Sequence, residues 1–295
     1  MPDPAMPTFD PSTIDATAAR AERSGALQVI HTEQQLIEQA GFRFVVRWVS
    51  TLARKDLSHL AAATHPTPGT NPFLPPEREL TLGAIGADHL VILNKFPVIP
   101  RHLLIVTRVF EEQTDPLNQR DFDALAQLLK RLGGLGFYNG GVEAGASQRH
   151  KHLQWIPEDG ANASLAAFSD GLPKTLARFD TATHPGLPWQ HCFVRLEAPN
   201  ATLPSATGDT LARAFSLACD ALGMTGSPRP GIPYNLLVNR DWMLLLPRSQ
   251  AQHEGIPVNA LGFAGSLFVR KPAQIATVQQ IGPLQLLAAV ACPAT

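Results

Sequence analysis

The chain has 295 residues, with 24 Lys and Arg against 25 Asp and Glu and a formal net charge of −1. That balance excludes a polybasic nucleic-acid clamp and an acidic interaction tail, and 44% hydrophobic residues exclude an intrinsically disordered chain. The 26 prolines are well above average usage and predict stiff loops between elements of modest length.

No run approaches the ~18 apolar residues of a membrane span. Residues 1–23 are polar, proline-punctuated and without an apolar signal core, and are expected to form a loosely ordered arm. Cys192, Cys219 and Cys292 are far apart and lack CxxC spacing. They read as reduced thiols of a cytoplasmic protein, not as a disulfide framework or a zinc site. In chain order, residues 24–40 carry Leu27, Ile30, Leu36 and Ile37 at near-helical spacing and predict a helix stopped by Gly41. The following GFRFVVRWVSTL predicts a strand, and the stretch with prolines 66, 68, 72, 75 and 76 predicts a long loop. Residues 88–108 predict a hairpin with a proline-bounded turn. The next segment predicts a helix capped by Thr114 or Asp115 and ended at Gly133 or Gly134, with Phe122, Leu125, Leu128, Leu129 and Leu132 facing a sheet. After residue 160 come a predicted strand (188–198), a helix (208–224) and a second hairpin (234–249) turning at Asn239-Arg240-Asp241. The order loosely echoes the first half, without a residue-level repeat.

The chemically informative run is Gly145-Ala146-Ser147-Gln148-Arg149-His150-Lys151-His152-Leu153-Gln154-Trp155. On a strand, His150, His152 and Gln154 share one face, and Lys151, Leu153 and Trp155 the other. Two imidazoles and an amide on one face need a polar ligand. An imidazole whose second nitrogen is held by an acceptor can act as a nucleophile toward phosphorus, and a glycine-bearing loop can present N–H groups to the same anion. The pattern leaves alternatives open. His-x-His is also a metal arm, although no Cys pair or carboxylate accompanies it, and the pair also fits structural histidines. In isolation Lys95 and Asn139 read as turn residues, Arg248 as a strand-end cap, and Trp155, Trp242 and Met243 as core.

Several blocks together resemble one family: Leu93-Asn94-Lys95-Phe96, Phe137-Tyr138-Asn139-Gly140-Gly141, Gly145-Ala146-Ser147-Gln148, His150-Lys151-His152-Leu153-Gln154, Tyr234-Asn235-Leu236-Leu237, residues 242–249 and residues 259–266. This order is similar to the ATP adenylyltransferases, or diadenosine tetraphosphate phosphorylases, of the histidine-triad superfamily. The resemblance implies an α+β fold: a histidine-triad-like antiparallel sheet flanked by helices, with a C-terminal half that is a candidate degenerate second copy. It implies a catalytic domain over 24–160 and a C-terminal domain over 161–295 packed on it. It further implies reversible phosphorolysis of diadenosine tetraphosphate to ATP and ADP through a nucleotidylated His152. In that scheme His150 supports the site and Gln154 contacts the α-phosphate. Ser147, Gln148 and the N–H groups of Gly145 and Ala146 hold the polyphosphate, while Lys55, Asn94, Lys95, Asn139, Asn235 and Arg248 are further substrate contacts. Partners would be small nucleotides and phosphate, not nucleic acid or membrane, with no protein-held metal or covalent cofactor and Mg2+ entering with the polyphosphate; the oligomeric state stays open. Arg149 departs from the family's proline before His-Lys-His. Gln154 separates the chain from histidine-triad hydrolases, which place a third histidine there, and Lys151 from the hexose-1-phosphate uridylyltransferases. A non-enzymatic nucleotide-binding protein is the rival of a different class.

Overall fold

The apolar hairpin around residues 89–107 and the amphipathic helix that follows it are two parts of one long antiparallel sheet with its covering layer. The computed structural model describes residues 6–49, 71–158, 162–197, 206–224 and 231–294. In chain order, helix α1 (Ile14–Ser24) precedes strands β1 (Thr32–Gln39) and β2 (Phe42–Val49). Strands β3 (Thr81–Ile85), β4 (His89–Leu93) and β5 (Leu103–Thr107), helix α2 (Gln119–Leu132), and strands β6 (Leu135–Gly140) and β7 (His152–Ile156) complete the first half. A short helix α3 (Ala166–Ser169) leads to β8 (Thr181–Ala182), β9 (Cys192–Arg195), helix α4 (Gly208–Ala221), β10 (Tyr234–Val238) and β11 (Trp242–Pro247). The chain ends with β12 (Gln252–His253), β13 (Ile256–Pro257), β14 (Ser266–Val269), α5 (Ala273–Ile281) and α6 (Pro283–Val290).

The principal sheet has nine strands in the order β3-β4-β5-β7-β6-β10-β11-β9-β8. The strand-hairpin logic is thus repeated: β4-β5-α2-β6-β7 and β8-β9-α4-β10-β11 have the same order in space, joined where β6 pairs antiparallel with β10. Residues on either side of 160 therefore share one sheet. The register makes the second copy legible: Tyr138-Asn139 on β6 correspond to Tyr234-Asn235 on β10. Phe137 lies opposite Gln154 and Asn235 opposite Leu246. On that correspondence Leu246 stands where His152 stands, and Arg248 where Gln154 stands.

Helices α2 and α4 pack side by side on one face, burying Phe122, Leu125, Leu128 and Leu129 against Leu153 and Trp155. Trp155, Trp242 and Met243 are core residues. The helix cap differs from expectation. Asn118, not Thr114 or Asp115, caps α2 in a reciprocal box with Asp121, because an extended Asn118 can accept from two orphan N–H groups of the first turn. The apolar C-terminal run is core: Leu286, Leu287 and Val290 of α6 are buried with the opposite face of β10 and β11.

Two expectations fail at the N-terminus. From residue 6 onward the arm is structured: Phe9 bonds to Ala84, α1 buries Ile14 and Ala21, and Gly25 closes the helix in the left-handed region. Residues 24–40 are not a helix; β1 pairs residue for residue with β2 through a tight turn at Ala40-Gly41, both with positive φ. Pairing with an apolar neighbour overrode helix propensity in a Gln- and Glu-rich segment. Strand β14 adds to β2 in parallel, so the C-terminal half reaches the first half through this three-stranded sheet.

Candidate active site

Period-two alternation on β7 does what the sequence demands of it. The rings of His150 and His152 both meet Phe73, while Lys151 points to the helix face and bonds to Glu111, Asp121 and the Pro116 carbonyl. His152 is 4% exposed. Its Nδ1 donates to the His150 carbonyl at 2.8 Å, which leaves the lone pair on Nε2 and gives that nitrogen the character of a nucleophile. Burial pushes the His152 pKa down to about 4, and the bond to His150 offsets only part of this. The ring is therefore neutral at pH 7. The backbone around it is held by Gln113: the His152 N–H donates to Gln113 Oε1 at 2.9 Å, and Gln113 Nε2 donates to the carbonyls of Asn139 and His152. Gln113 bridges β6 and β7 beyond the last pair of their ladder, Phe137 and Gln154.

His152 opens into a cavity of about 460 Å³ between the principal sheet and the three-stranded sheet, a size typical of small-molecule sites. One end is apolar, where Ile30 packs with Phe96, Val98 and Phe268. The other end holds Asn139, Gly145, Ser147, Gln148, His152 and Gln154. The polarity of the two buried amides is set by their neighbours. Gln154 Oε1 accepts from His102 Nε2 at 3.0 Å, and Asn94 Nδ2 donates to His102 Nδ1 at 3.0 Å. Burial holds His102 neutral, with a pKa of about 4, consistent with one donating and one accepting nitrogen. Asn139 Oδ1 accepts from Asn235 Nδ2 at 2.9 Å and from the Ala260 N–H at 3.0 Å. Both carbonyl ends are thus spent, and both NH2 groups are left to donate into the cavity.

The expected residues divide clearly. His152, Gln154, Asn94, Lys95, Asn139, Gly145, Ser147 and Gln148 line one cavity. Lys55 lies outside the described residues. His150 does not reach the cavity; its ring bonds to Thr107 and Asn71 and its carbonyl orients His152, a supporting position. The N–H groups of Gly145 and Ala146 are not free for a phosphate, because they close the loop on Val142 and Gly141. Gly145 has a different necessity: with φ +91°, a Cβ there would sit 2.9 Å from Asn259 and the Val258 carbonyl. Asn94 spends its amide on His102 and the Phe96 N–H. Lys95 is ion-paired with Glu77 at the rim. Asn235 and Arg248 are not cavity contacts; they lie one layer behind it, at 0% and 1% exposure. Arg149 turns to the surface and pairs with Glu112.

His102, Gln113, Asn71, Phe73 and the cavity-lining Arg47 were not anticipated. Each acts through partners distant in sequence: Arg47, for example, donates to Ser266 Oγ at 2.7 Å. No local pattern marks them: His102 stands just before β5, whose residues are buried without alternation. Among the described residues no cluster of three or more His, Cys, Asp or Glu could hold a metal ion, and no helix is long and apolar enough to cross a membrane.

Residues 5–167 match the model of the Ap4A phosphorylase N-terminal domain, and residues 185–293 that of the ATP adenylyltransferase C-terminal domain. Diadenosine 5',5'''-P1,P4-tetraphosphate phosphorylase 2 of Saccharomyces cerevisiae is 30% identical, over 85% of this chain and 84% of its own. Protein APA1 of the same yeast is 30% identical over 68% of this chain and 69% of its own. The crystal structure of yeast Ap4A phosphorylase Apa2 in complex with Ap4A superposes with a TM-score of 0.79 at 22% identity, covering 98% of this chain and 99% of that one. The Apa2 complex with AMP gives 0.76 at 24% identity, covering 96% of each. The chain belongs to the Ap4A phosphorylase and ATP adenylyltransferase family.

Proposed function

We propose that this protein is a nucleotidyltransferase that phosphorolyses diadenosine tetraphosphate to ATP and ADP through a covalent adenylyl-His152. The observation that carries the reading is the neutral His152 ring, pinned through Nδ1 with Nε2 left for the cavity, beside two amides committed to donating. In the first step the Nε2 lone pair attacks the α-phosphorus, the bond from phosphorus to the bridging oxygen breaks, and ATP leaves. In the second, an oxygen of inorganic phosphate attacks the same phosphorus, the P–N bond breaks, and ADP leaves with the imidazole neutral again. Gln154 and Asn139 N–H groups, with Ser147 and Gln148, stabilise the equatorial oxygens in both transition states. Splitting the transfer in two lets one imidazole be nucleophile and then leaving group.

The apolar end of the cavity suits a base and its ribose. Lys95 exchanges Glu77 for a polyphosphate oxygen when substrate arrives. Magnesium enters bound to the polyphosphate, as part of the substrate. A cytoplasmic location, where these nucleotides are made and used, follows from the reading.

Incubation with diadenosine tetraphosphate in the absence of phosphate should add the mass of one AMP to the intact chain, on His152. His152→Ala should lose that adduct and lower turnover by several orders of magnitude, with an unfolding midpoint close to the parent. Undiminished phosphorolysis by the variant would refute the assignment.

A further inference from the structure

Arg248 is buried, and all five of its N–H groups are satisfied by neutral oxygens. They donate to the carbonyls of Val290, Ala144, Gln250 and Val258 and to Asn235 Oδ1. Its flat face lies over the Phe263 ring, 5.2 Å from the centroid. Among the described residues no carboxylate forms an ion pair with it. Burial lowers its pKa to about 9, so it remains cationic at pH 7. A buried cation without a counter-charge is expensive, and its field is weakly screened. The hydrogen bonds leading away from it have one direction. Arg248 Nη1 donates to Asn235 Oδ1, Asn235 Nδ2 donates to Asn139 Oδ1 at 2.9 Å, and Asn139 Nδ2 faces the cavity. Arg248 and Asn235 also both donate to the Ala144 carbonyl, at 3.3 and 2.8 Å, at the base of the Gly145–Gln148 loop.

We propose that Arg248 and Asn235 are positioning residues that deliver buried positive charge to the phosphate end of the cavity through an aligned chain of amides ending at Asn139. Each donor in the chain strengthens the next, because a polarised amide is a better donor at its far end. The dimension along the sheet explains the source. Arg248 occupies the second half's counterpart of Gln154, so the half with Leu246 at the counterpart of His152 serves the site of the other half. The proposal rests on the reading that this cavity binds a nucleotide phosphate.

Asn235→Asp interrupts the chain at its middle and removes both donations of Asn235 Nδ2. The carboxylate keeps an acceptor for Arg248 and cancels its charge, yet cannot donate to Asn139. Affinities for AMP and for adenosine, measured by calorimetry on the full chain, report the phosphate separately from the base. The parent should prefer AMP, and Asn235→Asp should reduce that preference about tenfold, the worth of one charge-assisted hydrogen bond, with the affinity for adenosine kept as the sign of a folded site. Asn235→Ala, which removes the donor and leaves the cation, should reduce the preference less; it also serves if the aspartate variant does not fold. Arg248→Lys retains the charge and should keep more of the preference than Asn235→Asp. An AMP-to-adenosine preference equal to the parent's in a folded Asn235 variant overturns the relay. A parent chain indifferent to the phosphate of AMP would instead overturn the nucleotidyl reading, and the relay with it.

Discussion

At the scale of single residues, the site is organised by where each polar atom spends its hydrogen bonds. His152 is committed at Nδ1 and open at Nε2, and Gln154 is committed at Oε1 and open at its NH2. An amide has no titratable proton to give to a leaving group or to manage an attacking water. Gln154→His places such a group against His102 Nε2 and beside the phosphorus. It should raise AMP formation relative to ADP when phosphate is present. Separation of AMP, ADP and ATP by chromatography measures the ratio, and an unchanged ratio removes the argument that the amide selects transfer over hydrolysis.

At the scale of elements, the strand that begins at His152 is clamped from behind. Lys151 sits on the helix face of β7, and its three bonds reach Asp121 in the first turn of α2, Glu111 and the Pro116 carbonyl. Asp121 in turn accepts from His89 Nε2 on β4 at 2.8 Å and from the N-cap backbone. One fully buried carboxylate therefore ties the helix start to two strands. Removing one partner of a buried ion pair leaves the other charge uncompensated and typically costs ~3–5 kcal/mol. Lys151→Met should destabilise the chain by about that amount in urea unfolding, although the lysine never meets the cavity. A loss below ~1 kcal/mol, the range of exposed pairs, would show that the cluster contributes no more than a surface pair.

At the scale of the whole molecule, several histidines are held neutral by burial. His102 and His152 titrate near 4, and His150 and His191 are also lowered. A histidine whose folded pKa lies below its unfolded value binds protons more readily when unfolded. Stability is therefore complete above the unfolded value near 6.5 and is lost as pH falls toward 4. For His152 alone the shift corresponds to about 3 kcal/mol at the acid end. The urea midpoint should fall steadily between pH 7 and pH 4.5, and fall less in His152→Ala. A midpoint independent of pH across that range would contradict the burial of neutral rings. The second sheet half carries Leu246 where the first carries His152, and Leu237, Leu244 and Leu246 are packed with Phe263, Leu287 and Val290, so that face is core.

What the sequence determined by itself is local. The alternation at 150–155 placed His152 and Gln154 on one face and Lys151, Leu153 and Trp155 on the other, because strand period needs no distant partner. The stripe at 122–132 announced a helix on a sheet, and the resemblance singled out the strand whose His152 lines the cavity. Only the tertiary structure decided the rest. Residues 32–39 became a strand because β2 was there to pair with them. The N–H groups of Gly145 and Ala146 turned inward because their own loop offered carbonyls at hydrogen-bond distance. His102 and Gln113 joined the site from 52 and 39 residues away, and Arg248 withdrew behind it to bond Ala144, 104 residues distant. Which buried polar groups meet depends on which strands become neighbours, and hydrogen-bond satisfaction in a dry interior then fixes their orientation; neither is written in the spacing of residues along the chain.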